Sequence, residues 1–513
     1  MRALILFVAI LFFAAPASAE WWEARTDHFI IYSKSSAQDA KNFAEQLERY
    51  DQSLRSLHLI KQDQRLSDAR RVKIYRSGRI VDISVLAGDS ESGVAGFYIP
   101  RMEPVAFVPA REDAARHIEL DALKILFHEY YHHFMFRYFA GAYPGWYIEG
   151  IAELHSTLRF MPNGAFHVGD APQARAEELM GKYKSFAHYS IVEMLTSKSK
   201  PTGEDFYARY TYGWLLTHYL SFEPTRKGQL LNYLRLVDKG VPLADAATQS
   251  FGDLRKLEAE VTAYKNRNRF YGKDVNPANY RPPVIEMRKL APDEEAIMPV
   301  VIRSKAGVTP RTAKGVAGDA RSVAARYPTS FPVQLELAEA ELDAENYDAA
   351  ERAADAAIAL KPDSAEALYF KGMVLLGKAK SNPGQYAAAR SWFARARDAD
   401  PDHPGPLIGN YLSYSKAGGA IPESAVIGLE EAYRLAPYDG DLRITLARQE
   451  IAEKRLDVAK MLLVPLALEP NQSKQARMLD EVVDQIDSNN AGQALVKMDA
   501  FIKKQEDDKK KSD

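Results

Sequence analysis

The amino-acid sequence predicts two architectures in one chain. The first is an α+β N-terminal domain, a small mixed sheet with a helical subdomain. The second is an all-α solenoid of paired helices. Three observations predict this. Short apolar runs alternate with helical periodicity ahead of residue 110, helical periodicity dominates from 118 to 264, and proline-bearing turns recur at near-regular spacing through the last third.

The chain opens with a lone Arg2, an apolar run from Ala3 to Ala15, then Pro16 and Ala17-Ser18-Ala19. This order reads as a secretory signal peptide over residues 1–19, cut after Ala19, and predicts a periplasmic or secreted protein. The apolar run is too short to span a bilayer, and no other segment approaches eighteen uninterrupted apolar residues, so no membrane span is expected after cleavage. There are no cysteines, which excludes disulfides, thiolate zinc sites and a lipid anchor on an N-terminal cysteine. The formal charge of -2 gives no basis for binding nucleic acid or an anionic membrane surface.

Residues 20–269 form the first domain. His28 to Tyr32 and Val72 to Tyr75 read as strands, and Ala37 to Leu57 as a helix with Phe43, Leu47, Tyr50 and Leu54 on one face. Phe97 to Ile99 and Val105 to Val108 read as a hairpin joined through 100–104, with Val105 to Val108 the expected sheet edge, open to an extended peptide. Beyond Glu153 the pattern to Tyr264 is helical, with 186–195, 206–222, 228–239 and 254–264 as the main helices.

Between sheet and helices lies His128-Glu129-Tyr130-Tyr131-His132, flanked by Leu123, Ile125, Leu126, Phe127, Phe134 and Met135 at helical period. Two histidines four apart on a helix project from one face, so their ring nitrogens can converge on one zinc ion. Glu129 is one residue off that face, placed to take a proton from a water at the ion. A hydrolytic site needs a third protein ligand and an open fourth position. After the breaker cluster Ala140 to Gly145, a second helix from Trp146 would bring Glu149 to the imidazoles as that ligand. Glu153, one turn on, would accept the free N–H of a liganding histidine, although the two glutamates could exchange roles. His133 and His155 are weaker ligand candidates. The plainer alternative is a pair of histidines that merely pack a helix.

His128 to His132 followed by Glu149-Gly150-Ile151-Ala152 resembles the gluzincin metallopeptidases, in which the glutamate of an E-G-x-A motif is the third zinc ligand. Trp146 to Glu153 is similar to the peptidase MA-like group of that clan. The resemblance implies a zinc-dependent peptidase, an endopeptidase acting on protein or peptide substrates. It also implies that Tyr210, in a Tyr210-x-x-Gly213 pattern, steadies the oxyanion; the alternative is an aromatic helix face packed on the core. Arg101-Met102-Glu103-Pro104 shares two letters with the G-x-M-E-N motif that holds a substrate amine in aminopeptidases, but lacks its glycine and asparagine.

Residues 270–311, rich in proline and mixed charge, read as a linker. From 312 to 502 the chain repeats, with Pro328, Pro362, Pro401, Pro437 and Pro470 spaced 34, 39, 36 and 33 residues apart. Asn346 to Ala350 and Gln385 to Ala389 resemble the start of the second helix in tetratricopeptide repeats. That family implies stacked helix pairs with a groove for a protein partner. Residues 503–513 read as a charged, frayed tail. The functional expectation is an exported zinc metallopeptidase whose repeats recruit a substrate or partner. The alternative is a non-catalytic envelope scaffold acting through its repeats.

Overall fold

A computed structural model describes residues 20–61, 65–88, 96–110, 122–139, 141–181, 189–197, 204–267, 269–467 and 474–511. The expected signal peptide at 1–19, the start of the 186–195 helix and the Pro470 turn lie outside the described residues.

The N-terminal elements follow the apolar periodicity. In order they are β1 (Glu20–Arg25), β2 (Phe29–Ser35), α1 (Ala37–Leu57), β3 (Val72–Arg76), α2 (Ile80–Leu86), β4 (Phe97–Ile99) and β5 (Val105–Val108). Helix α1 begins where the Ser36 hydroxyl accepts the Asp39 N–H, an N-cap.

The helical subdomain contains α3 (Ala122–Tyr138), α4 (Gly145–Ser156), β6 (Arg159–Phe160), β7 (Phe166–Val168), α5 (Gln173–Leu179), α6 (Ile191–Thr196), α7 (Glu204–Phe222), α8 (Gln229–Asp238), α9 (Leu243–Phe251) and α10 (Leu254–Lys265). The all-helical expectation missed β6 and β7. Gly164 at φ 82° closes a hairpin there, and Phe166 and Val168 bury alternate positions of β7.

Segment 270–311 differs from the expected linker. It holds β8 (Lys273–Val275), β9 (Glu286–Lys289) and α11 (Pro292–Ala306). The main sheet runs β4-β5-β3-β2-β1-β9, and a second sheet runs β6-β7-β8. Both late strands are edge strands, the position that a proline-rich segment can fill.

Strand β5 is interior, which corrects its expected place at the edge. It lies parallel to β3 and antiparallel to β4, because the turn after Ile99 folds β4 back along its outer side. Ala106 and Val108 face the core shared with α1, α3, α4 and α7, whereas Val105 and Phe107 face α11 through Met298. Burial on both faces explains why these strands read as continuous apolar runs.

The solenoid comprises α12 (Pro310–Arg326), α13 (Phe331–Asp343), α14 (Tyr347–Leu360), α15 (Ala365–Lys378), α16 (Gln385–Ala399), α17 (Pro404–Ser415), α18 (Glu423–Leu435), α19 (Gly440–Ala452), α20 (Leu456–Ala467), α21 (Lys474–Asp487) and α22 (Ala491–Lys511). Two residues after Pro328, Pro362, Pro401 and Pro437 stands an N-cap. Ser330, Ser364, His403 and Asp439 accept the N–H groups of Val333, Ala367, Gly405 and Leu442. Gly372 and Gly409 both pack against the Phe393 ring, where a Cβ on either would lie within 2.6 Å of it. The expected frayed tail is helical instead. α22 continues through it to Lys511, anchored by buried Met498 and Phe501 and extended by an i,i+4 Lys504–Asp508 pair.

The solenoid docks on the first domain. Lys73 of β3 lies 3.2 Å from Glu366 of α15, Glu103 lies 3.8 Å from His403, and the Tyr438 ring rests on His133 of α3 with centroids 4.5 Å apart. Met102 and Phe136 pack against the core of the last repeats. Part of the solenoid surface is thus covered from within the chain.

Candidate metal centre

Helix α3 is fixed on its inner side by polar anchors as well as apolar packing. Tyr130 donates to Asp51 Oδ1 at 2.7 Å, Arg55 donates to the Tyr138 hydroxyl at 2.6 Å, and Tyr50 donates to the Phe127 carbonyl at 3.0 Å. These contacts set the rotation of α3, leaving His128, Glu129 and His132 half-buried on another face. The chain then turns, with Ala142 N–H donating to Asp238 at 2.9 Å, and α4 returns beside α3.

Glu149 arrives between the two imidazoles. His128 Nε2 and His132 Nε2 are 3.1 Å apart, and Glu149 Oε2 lies 3.2 Å from the first and 3.5 Å from the second. Donors bound at roughly 2.0–2.1 Å in a tetrahedral zinc shell lie about 3.3–3.4 Å from one another, so the donor set and its spacing fit that ion. Glu153 sits behind. Its Oε1 is 3.8 Å from His128 Nδ1 and accepts from Arg175 Nε at 3.0 Å and Nη2 at 2.9 Å. Glu149 is therefore the carboxylate nearest both Nε2 atoms, and Glu153 lies behind it. His132 Nδ1 is buried without a hydrogen-bond partner among the described residues, so no such support appears on that side.

Tyr210 reaches the same place from α7. Its ring lies 6.3 Å from that of His128, centroid to centroid, with the Arg175 guanidinium 5.2 Å above it. A cleft of about 300 Å³ opens here, lined by His128, Glu129, Glu153, Arg175 and Tyr210. Arg175 escaped the sequence reading. It belongs to a short helix with no residue buried from water, and nothing local connects it to Glu153 across 22 positions.

The electrostatics suit a cation. Burial disfavours a charged His128, yet the hydrogen bond to Glu149 and the charges of Glu153, Glu149 and Glu129 lift it to about 9. Burial would raise Glu149, but His132 and His128 hold it below the usual carboxylate range. Burial raises the Glu129 carboxyl, which the two histidines only partly offset.

The remaining candidates lie apart. His133 bonds to the Tyr98 hydroxyl at 2.7 Å, and His155 lies 2.8 Å from the Ile151 carbonyl with its ring stacked on Tyr131. Glu103 accepts from Lys73 at 2.8 Å, inside the contact with the solenoid. A second convergent group, His28, Glu48 and Asp51, is wholly buried. There Asp51 accepts from Arg55 at 2.5 Å and from Tyr130, so positive charge and donors already meet it, as in an ion-pair network. Among the described residues no helix is long and apolar enough to cross a membrane.

Residues 335–404 match the family model for the tetratricopeptide repeat. No curated protein matches the chain. A crystal structure of a thermophilic TPR protein from Thermus thermophilus is similar over 38% of this chain and 98% of its own, at 15% identity and a TM-score of 0.32.

Proposed function

We propose that this chain is an exported zinc-dependent peptidase whose repeat domain engages a protein partner or substrate. The observation that carries the catalytic part is the Nε2, Nε2 and Oε2 triangle of His128, His132 and Glu149, with sides of 3.1, 3.2 and 3.5 Å, beside a cleft lined by His128, Glu129 and Tyr210. Zinc held there would supply a Lewis acid for a peptide carbonyl and make a water acidic near neutral pH. Glu129, its own carboxyl raised by burial, would accept the proton of the attacking water and pass it to the leaving amine. The Tyr210 hydroxyl would donate to the developing oxyanion. Arg175 and Glu153 keep the Tyr210 ring and the His128 imidazole in place. Cleavage is proposed at internal bonds, because Glu103, the one glutamate whose motif shares letters with an amine-holding motif, is already paired with Lys73.

The second reading is a non-catalytic scaffold. It is favoured by the match of 335–404 to a repeat family that presents protein-binding surfaces. One experiment separates the two. Protein beginning at Glu20 is assayed for bound zinc and for cleavage of unfolded casein, with and without chelator, beside Glu129→Gln. Zinc with chelator-sensitive cleavage that Glu129→Gln abolishes supports the peptidase. Absence of both zinc and cleavage supports the scaffold.

A further inference from the structure

Between the outer face of the main sheet and the first helices of the solenoid lies a cavity of about 350 Å³, remote from the metal centre and independent of its reading. Tyr32 and Tyr75 form one wall, their rings stacked with centroids 5.5 Å apart, while Phe331 and Phe370 face them from the solenoid side.

Most of the charges around this cavity are paired. Lys73 lies 2.8 Å from Glu103 and 3.2 Å from Glu366, and Lys305 holds both oxygens of Glu339 at 2.7 Å. Arg288 is bound by Glu23 and Glu294, and Arg25 by Glu23 and Asp68. Lys361 stands exposed at the rim, over the Phe331 ring. Glu336 forms no ion pair among the described residues and is met by the Ser304 hydroxyl. It is 5% exposed, it lines the cavity, and its Oε1 has no hydrogen-bond partner. Among the described residues it is the one buried carboxyl oxygen in that state.

A buried carboxylate is unstable unless a proton or a cation meets it. Burial and the nearby charges of Glu339 and Asp343 push the Glu336 carboxyl well above its ordinary range, against the smaller opposing effects of Lys305 and of the Ser304 hydroxyl. A cation entering the cavity would supply what the fold leaves out, and aromatic faces would stabilise it as it sheds water. We propose that this cavity binds a compact organic cation, a primary ammonium or a guanidinium, with its charge on Glu336 and its stem against Tyr32 and Tyr75. The source is either a free amine or the end of a basic side chain on a bound polypeptide.

The test is isothermal titration calorimetry on the whole chain from Glu20. The probes are n-butylguanidinium, n-butylammonium, the peptide acetyl-Gly-Arg-Gly-amide, and n-butanol as the uncharged control. At least one cationic probe should saturate near one per chain while butanol does not. Affinity should fall at least tenfold in Glu336→Gln and in Tyr32→Leu, the latter testing the site without touching the carboxyl. Binding measured in two buffers of different ionisation enthalpy should release a proton in the wild type and none in Glu336→Gln. Tighter binding of the peptide than of butylguanidinium assigns the source to a polypeptide, and the reverse assigns it to a free amine. No saturable binding by any cation, or equal binding by wild type and both variants, overturns the proposal.

Discussion

Gly150 and Gly213 mark the crossing of α4 and α7. A Cβ on Gly150 would lie 2.3 Å from the Gly213 carbonyl oxygen, and one on Gly213 would lie 2.5 Å from the Trp146 carbonyl oxygen. Gly150 follows Glu149, and Gly213 stands one turn beyond Tyr210. The backbone approach that only glycine permits is therefore what brings the α7 tyrosine beside the α4 carboxylate and the α3 imidazoles. Gly213→Ala should force the two backbones apart. Urea unfolding is expected to report a loss of about 1–3 kcal/mol, the usual range for overpacking.

The two glutamates of α4 should separate by their effect on metal. Glu149→Gln is expected to abolish tight zinc binding, whereas Glu153→Gln should weaken it by about 10–100-fold, as for loss of an outer partner. Competition with a chromophoric chelator measures both. The opposite order would transfer the ligand role to Glu153.

Zinc affinity should rise with pH. His128 must lose a proton to bind metal, and its neighbours hold that proton up to about 9. Below that value each unit of acidification should weaken binding by about tenfold. A pH-independent affinity from 6 to 9 would contradict the contact between His128 and Glu149.

Catalysis should respond differently from metal content. Glu129→Gln is expected to lower kcat by about 10²–10⁴, and Tyr210→Phe by about 10²–10³, with zinc stoichiometry unchanged in both. If Tyr210→Phe cleaved casein at the wild-type rate, the tyrosine would be a packing residue.

The Asp51 network should govern stability and its pH dependence. Burial would raise Asp51, but His28 and Arg55 hold it below the usual range, so its contribution is present above about pH 4 and fades as pH falls through the lower folded value. Burial would lower His28, but Asp51 and Glu48 raise it, so its contribution is complete below about pH 6.5 and is lost as pH rises through the higher folded value. Asp51→Asn removes the buried carboxylate that accepts from Arg55 and Tyr130, and should cost about 3–5 kcal/mol in urea unfolding near pH 6. It should also flatten both flanks of the pH profile.

Much of the candidate site was legible from short-range spacing. His132 stands four positions after His128, Gly213 stands three after Tyr210, and a breaker cluster precedes the helix of Glu149, all within the reach of helical geometry. Arg175 was not legible, since its meaning depends on Glu153 and Tyr210, which come from other helices. The Asp51–Tyr130 bond, which sets the rotation of α3, spans 79 positions and leaves no periodic trace.

The same division holds for the whole chain. Local chemistry decided that α1, α3, α4 and the paired helices of the solenoid would form, because propensity, capping and apolar period act over one or two turns. Only the folded chain decided that β4 and not β5 would be the free edge, that the proline-rich segment would close the sheet through β9, and that Glu336 would be buried beside a cavity. Those outcomes depend on which surfaces meet after collapse. Segments far apart in the chain compete for the same faces, and the winner is set by packing and charge pairing across the domain boundary.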